Sequence, residues 1–171
     1  MILTPHAIVG ASLTNIFANN PAFGFSMAFF SHYILDVLPH TDYDISNFLN
    51  SETKTVKSIF KNTGAALHFL FIIIDFLLAV LFCVLLFVRD EKSLIITFLG
   101  VIGGMLPDFF QFLYYKYKRY PWISFQKIHD KIHHILVKDD NEKSLFFSIF
   151  GIVSQFVMPT IFFAAYYFLN N

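Results

Sequence analysis

"GAALHFLFIIIDFLLAVLFCVLLFV", residues 64–88, is an apolar run whose only ionisable side chains before the end are His68, Asp75 and Cys83. About 20 such residues cross the hydrocarbon core of a bilayer, so the run reads as a transmembrane helix. "SLIITFLGVIGGMLPDFFQFLYY", residues 93–115, and "SLFFSIFGIVSQFVMPTIFFAAYYFL", residues 144–169, read the same way. "RDEK", residues 89–92, is long enough only for a tight turn between antiparallel spans. Ahead of these lie two shorter segments, residues 5–18 and 21–38, broken at "NNP". Each is near or below the spanning length, which predicts a helical hairpin, partly re-entrant. The expected fold is all-α: a polytopic membrane helical bundle with a short N-terminal hairpin, three longer spans and a short interfacial helix. Residues 1–171 are expected to form a single membrane-embedded domain.

Composition agrees with that class. The chain has 171 residues, 56% hydrophobic, with 24 Phe and a mean hydropathy of +0.60. Charged residues are 14%, against about 25% in an ordinary soluble domain. The formal net charge is zero, so no field draws the chain to nucleic acid. Cys83 is the single cysteine. It excludes a disulfide framework and a thiolate cluster, and it reads as a small buried hydrophobe. The start "MILTPHA" has no basic n-region and does not read as a cleaved signal peptide.

Local chemistry sets the expected boundaries. Thr4 is placed to cap a helix with Pro5 at its first position. Pro39 ends the second helix near Leu38. Asn62 or Thr63 caps the third. Pro107, after Gly103-Gly104, should kink or restart the fourth. Ser124 should cap a shorter helix running to about Val137, and Pro159 should kink the last span. Lys116, Lys118, Arg119, Lys127, Lys131, Lys138 and Lys143 lie in one long loop, and Lys54, Lys57 and Lys61 in the other. The turn holds Arg89 and Lys92. The positive-inside rule places the long loops in the cytoplasm and the turn outside.

On that topology all seven histidines fall on one side of the membrane or just beneath its surface, joined by Asp108. "SHYILDVLPHTD", residues 31–42, ends a greasy helix in His32, Asp36, His40 and Asp42. His32 and Asp36 are one turn apart on one helical face, and His129 and His133 repeat that spacing. Imidazoles and carboxylates so spaced chelate zinc or a similar divalent ion. An ionisable pair inside an apolar helix is costly and tends to be functional. His6 and Asp108 come from other helices, giving more ligands than one ion needs, so the expected cofactor is one or two divalent metal ions, zinc first. His68 reads as packing or hydrogen bonding. His134 points about 100° away from His133 and reads as solvent-facing. Asp42 and Asp44 read equally well as loop caps. Asp75 fits either an acceptor behind a ligand imidazole or a protonated carboxyl bonding another helix. In "WISFQKIHDKIHH", residues 122–134, the isoleucines are expected on the apolar bundle or the headgroups, with His129 or His133 reaching the site from the flank. The order "His … LPH" (His6, residues 38–40) echoes "His … LPD" (His68, residues 106–108), as diverged repeats would.

"TPHAIVGASL" (4–13), "SHYILDVLPHTD" and "GGMLPDFFQ" (103–111) together resemble the bacterial inner-membrane-associated metal-dependent hydrolase family. The resemblance covers most of the chain and implies His6, His32, Asp36, His40 and Asp108 as site positions. It also implies a multi-pass protein of the bacterial cytoplasmic membrane. Many members carry a His-Arg-Gly-x-Thr-His-Ser segment; this chain lacks it, and "HDKIHH", residues 129–134, stands as its replacement. A fainter similarity, in the order His, Asp, Pro, His with different spacing, is to zinc-dependent phospholipase C. The implied chemistry is attack of a metal-activated water on an ester or phosphoester, with Asp42 or Asp108 as general base. A site at headgroup depth implies membrane lipid as partner and a lipid or lipid-linked phosphate as substrate. The rival reading is a metal-binding membrane protein without chemistry, a transporter or sensor. Transport predicts ligands at the bilayer midplane, where only Asp75 lies.

Overall fold

The computed structural model describes residues 2–40, 63–133, 135 and 145–170. They form six helices and no strand: α1 (Leu3–Ile16), α2 (Pro21–Val37), α3 (Thr63–Phe87), α4 (Glu91–Tyr117), α5 (Trp122–His133) and α6 (Leu145–Asn170). The expected all-α class holds. Stretches of α3, α4 and α6, Ala66–Phe87, Glu91–Tyr117 and Ile149–Asn170, are long and apolar enough to cross a membrane. These mark the chain as a membrane protein. Large apolar side chains on α3, among them Phe71, Leu77, Leu81 and Leu85, face outward, as a lipid-facing surface does.

The short helix α1 sits at the centre, packed against α2, α3, α4 and α6. Its residues from Pro5 to Asn15 are buried all round except Ile8. Small side chains permit this, because in lipid helices associate through close backbone packing rather than a hydrophobic drive. A Cβ on Gly100 or Gly10 would collide with the other's carbonyl oxygen, and one on Gly104 with that of His6. On the second face of α4, a Cβ at Gly103 would lie 3.0 Å from the Ala28 Cβ of α2. A Cβ at Gly24 would meet Thr14 Cα at 2.9 Å. The Asn15 side-chain amide donates to Thr97 Oγ1 at 3.0 Å, tying α1 to α4 above these glycines. Cys83 is buried with Ala7, Ala79 and Phe87, as its apolar context predicts.

Several boundaries differ from expectation, for physical reasons. Helix α1 begins at Leu3, with Ile2 at the cap position and no cap from its own side chain. Thr4 does not cap it. Instead the Asp75 carboxylate of α3 accepts from the Leu3 N–H at 2.7 Å and the Thr4 N–H at 3.3 Å. The Thr4 hydroxyl donates to its other oxygen at 2.5 Å. Asp75 therefore caps a neighbouring helix, the interhelical hydrogen bonding that is one of the two expectations for it. Its negative charge meets the positive end of the α1 dipole. Helix α4 runs through Pro107 without restarting. Pro107 removes only the donor to the Gly103 carbonyl, while the glycine contacts hold the helix on both sides. Helix α5 starts at Trp122, two residues before Ser124, whose N–H bonds the Pro121 carbonyl at 2.9 Å. Helix α2 ends at Val37, ahead of Pro39, as expected. In the turn, Asp90 and Ser93 form a reciprocal capping box, and hydrogen bonds from Ser93 hold the Asp90 carboxyl below the usual carboxylate range.

Two substitutions test this packing. Gly104→Ala should lower stability by about 1–3 kcal/mol, the usual cost of forcing atoms into a packed interface, read as a lower unfolding temperature in detergent. Asp75→Asn turns one acceptor into a donor facing donors and should cost about 1–3 kcal/mol. Thr4→Val, which leaves both backbone donors paired, should cost less than Asp75→Asn in the same assay.

Candidate metal centre

Four helices send ionisable side chains to one point. His6 comes from the first turn of α1, two residues beyond the Asp75 cap. His32 and Asp36 come from α2, Asp108 from α4, His129 and His133 from α5. Asp36 is the hub. Its Oδ1 lies 3.3 Å from His6 Nε2. Its Oδ2 lies 2.9 Å from His32 Nε2, 3.2 Å from His129 Nε2 and 4.0 Å from His133 Nε2. Asp108 Oδ1 lies 3.6 Å from His32 Nε2 and 3.9 Å from His129 Nε2. The His6 and His32 rings stack with centroids 4.0 Å apart.

Burial is nearly complete at the hub and relaxes at the edge. Side-chain exposure is 0% for His32 and 1% for Asp36, but 22% for Asp108 and 24% for His133. Tyr33 is half-buried beside the hub, its ring edge-on to His32 at 5.5 Å between centroids.

The protons can be placed in part. A carbonyl only accepts, so the 2.8 Å contact between His32 Nδ1 and the Gly104 oxygen requires a proton on Nδ1. That leaves the neutral ring's Nε2 lone pair pointing at the Asp36 carboxylate. His40 Nδ1–H likewise donates to the Leu38 carbonyl at 2.7 Å. The Gln111 side-chain amide lies 3.4 Å from His129 Nδ1; turned with its oxygen to the ring, it would hold that proton on Nδ1. His6 Nε2, His32 Nε2, His129 Nε2 and Asp108 Oδ2 are buried without a hydrogen bond to any described residue. Lone pairs converging on carboxylate oxygens in a dry site repel one another unless protons or a cation lie between them. The donor set is imidazole nitrogen with carboxylate oxygen, which fits zinc-like divalent ions. Three overlapping groups bring such atoms within 4.8 Å of one another: His6, His32 and Asp36; His32, Asp108 and His129; Asp36, His129 and His133. The cluster could hold a metal ion.

The structure brings together His6, His32, Asp36, Asp108, His129 and His133. His40 stands at the margin, its ring 4.6 Å from that of His133. Asp42 and His134 lie outside the described residues. His68 joins none of the ligand groups among the described residues. On α5 the buried face is Gln126 and His129, while Ile128 and Ile135 are 50% and 56% exposed. His129 thus points into the bundle itself rather than from a flank, while Ile132 is half-buried and Ile128 and Ile135 take the outward side of the expectation.

Sequence reasoning overlooked the residues behind the ligands. Gln111 follows Asp108 by three residues and so shares its helical face, a signal present in "PDFFQ". Nothing in the sequence marks Gly151 and Ser154 of α6. A Cβ at Gly151 would lie 3.0 Å from His40 Cα, and the Ser154 hydroxyl donates to the Pro39 carbonyl at 2.9 Å. Comparison with protein families, curated proteins and solved structures yields no match to this chain.

Residues that orient metal-binding imidazoles usually contribute 10- to 100-fold in affinity. Gln111→Leu should therefore weaken zinc binding by roughly 10-fold or more without changing helicity, measured by competition with a chromogenic chelator.

Proposed function

We propose that the chain is a membrane-bound metal-dependent hydrolase acting on a phosphoester or lipid-linked substrate at the cytoplasmic surface of a bacterial inner membrane. The observation that carries this is the convergence of four imidazoles on Asp36, with Asp108 at the exposed edge. The resemblance of "TPHAIVGASL", "SHYILDVLPHTD" and "GGMLPDFFQ" to the inner-membrane hydrolase family supports the same reading.

Depth supports the choice of substrate. Asp108 lies about 26 Å along α4 from Glu91 and roughly 14 Å from Tyr117, at ~1.5 Å per residue. The centre therefore sits toward the end of the bundle that carries Lys116, Lys118 and Arg119. At that end the Lys116 ammonium and the Arg119 guanidinium each lie 5.3 Å from the Tyr117 ring. Tyr117 and Tyr120 are exposed beside Trp122. Aromatic and basic side chains at one level are the signature of a cytoplasmic membrane interface. A lipid phosphate lies at the level of that belt, and the centre lies beneath it, roughly 14 Å along α4 at ~1.5 Å per residue.

The chemistry that a divalent ion, zinc by donor type, would supply here is Lewis acidity and a bound water acidic enough to attack near neutral pH. Each side chain then has a role. His6 and His32 would hold the ion as neutral rings, with His129 on the other side of Asp36, and the Gly104 carbonyl keeps His32 in the required tautomer. Asp36 is the anionic ligand. Asp108, at the open edge with Oδ1 toward the centre, accepts the proton of the attacking water and returns it to the leaving oxygen.

Storage or transport of a metal is the second reading, favoured by the near-complete burial of His6, His32 and Asp36. The two separate in one assay. Asp36→Asn should lose both metal and hydrolysis of phosphoester substrates, because an amide is a poorer ligand than a carboxylate. Asp108→Asn should keep most of its metal and lose about 10²–10⁴-fold in turnover, the usual contribution of a general base. Metal content unchanged in Asp36→Asn would remove Asp36 from the centre. Tight metal binding without turnover of ester, phosphoester or lipid phosphate would leave the non-enzymatic reading.

A further inference from the structure

We infer that the centre takes two cations that share the Asp36 carboxylate; this rests on the metal-binding reading above and extends it. Four imidazole Nε2 atoms, both oxygens of Asp36 and Oδ1 of Asp108 converge. A tetrahedral zinc takes four ligands, so the donors exceed what one such ion uses.

The donors also divide in space. His6 groups with His32 and Asp36, and His133 groups with His129 and Asp36. Among the described residues no group of mutually close ligand atoms contains both His6 and His133. Oδ1 of the shared carboxylate faces His6, and Oδ2 is the oxygen near His32, His129 and His133, so His32, 2.9 Å from Oδ2, stands between the two positions. One cation would therefore lie among His6, His32 and Asp36, and the other among Asp36, His129 and His133. Asp108 Oδ1, near His32 and His129, reaches toward both positions from the open side. His40, beyond His133, borders the second position.

The arrangement bears on the substrate. Asp36 and Asp108 neutralise only half the charge of two divalent ions. The remaining positive charge, in a site closed to water at its hub, suits an anionic ester. Paired cations about 3.5–4 Å apart clamp the attacking and leaving oxygens of phosphoryl compounds. The substrate class is thus a phosphate ester ahead of a neutral carboxylic ester.

Metal counting decides the matter. The full chain, purified in detergent, is stripped with chelator, reloaded with zinc, desalted and assayed for zinc per chain by elemental mass spectrometry. The expected ratio is two. His6→Ala and His133→Ala should each fall to one. Loaded with manganese(II), the wild type should give the multiline electron paramagnetic resonance signal of an exchange-coupled pair, replaced by an uncoupled signal in either variant. One zinc per chain in the wild type, with no coupled signal, overturns the shared site and leaves the hydrolase reading intact. No zinc overturns the metal reading itself. Two zincs retained in both variants overturns the ligand assignment. Should either variant fail to fold, the wild-type ratio and its manganese spectrum decide alone.

Discussion

A carboxylate that is 1% exposed inside an apolar bundle must have its charge answered within the protein. The effective cost of burying an ion is several kcal/mol even after relaxation. Asp36 meets this cost with imidazoles drawn from α1, α2 and α5, and through His32 and His129 the same cluster reaches Asp108 on α4. The positions of four helices thus depend on one group. Neutral imidazoles alone answer a carboxylate poorly, since each offers one proton and His32 commits its own to Gly104. The cluster is complete only when positive charge, as protons or as metal, lies among these atoms.

The scaffold makes that convergence possible by bringing backbones closer than side chains would allow. Gly100 and Gly104 let α1 lie directly on α4, so that a helix too short to span can occupy the middle of the bundle. Its height is then set from α3, where Asp75 accepts the first N–H groups of α1. His6 follows two residues later and is carried to the level of Asp36. Gly104 has two parts in this. Its missing Cβ admits the His6 backbone, and its carbonyl fixes the His32 ring. A larger residue at that position would disturb two imidazoles through one clash.

The helix inventory was legible because hydropathy, proline positions and the "NNP" break act locally. The pairing of His32 with Asp36 and the break at Pro39 were legible for the same reason: helical spacing alone puts the two on one face. The role of Asp75 was not, because its partners are Leu3 and Thr4, more than seventy positions away in sequence. Sequence offered a carboxylate at mid-span that could bond another helix, and no means of finding which helix end lay beside it. Thr4 and Pro5 gave a local capping signal, and tertiary packing replaced that cap with a stronger acceptor. Likewise Gly151 and Ser154 look like ordinary small residues of a span until α6 is laid against Pro39 and His40.

The orientation of α5 follows from the same change of solvent. A helix at the surface of a water-soluble domain turns its isoleucines inward, since burying them is what drives it onto the core. Here Gln126 and His129 are buried while Ile128 is 50% exposed. Against lipid or the headgroup boundary an isoleucine loses nothing by facing outward, because acyl chains are as apolar as the bundle. Polar side chains have the stronger preference, as only the protein interior offers them partners. Aromatic contacts of Phe125 and Trp122 with Phe110, at 4.6 Å and 5.5 Å, seat one end of the helix. The histidines then decide its rotation. The rotation that brings His129 to Asp36 and leaves Ile128 outward is thus one that a membrane setting permits at little cost.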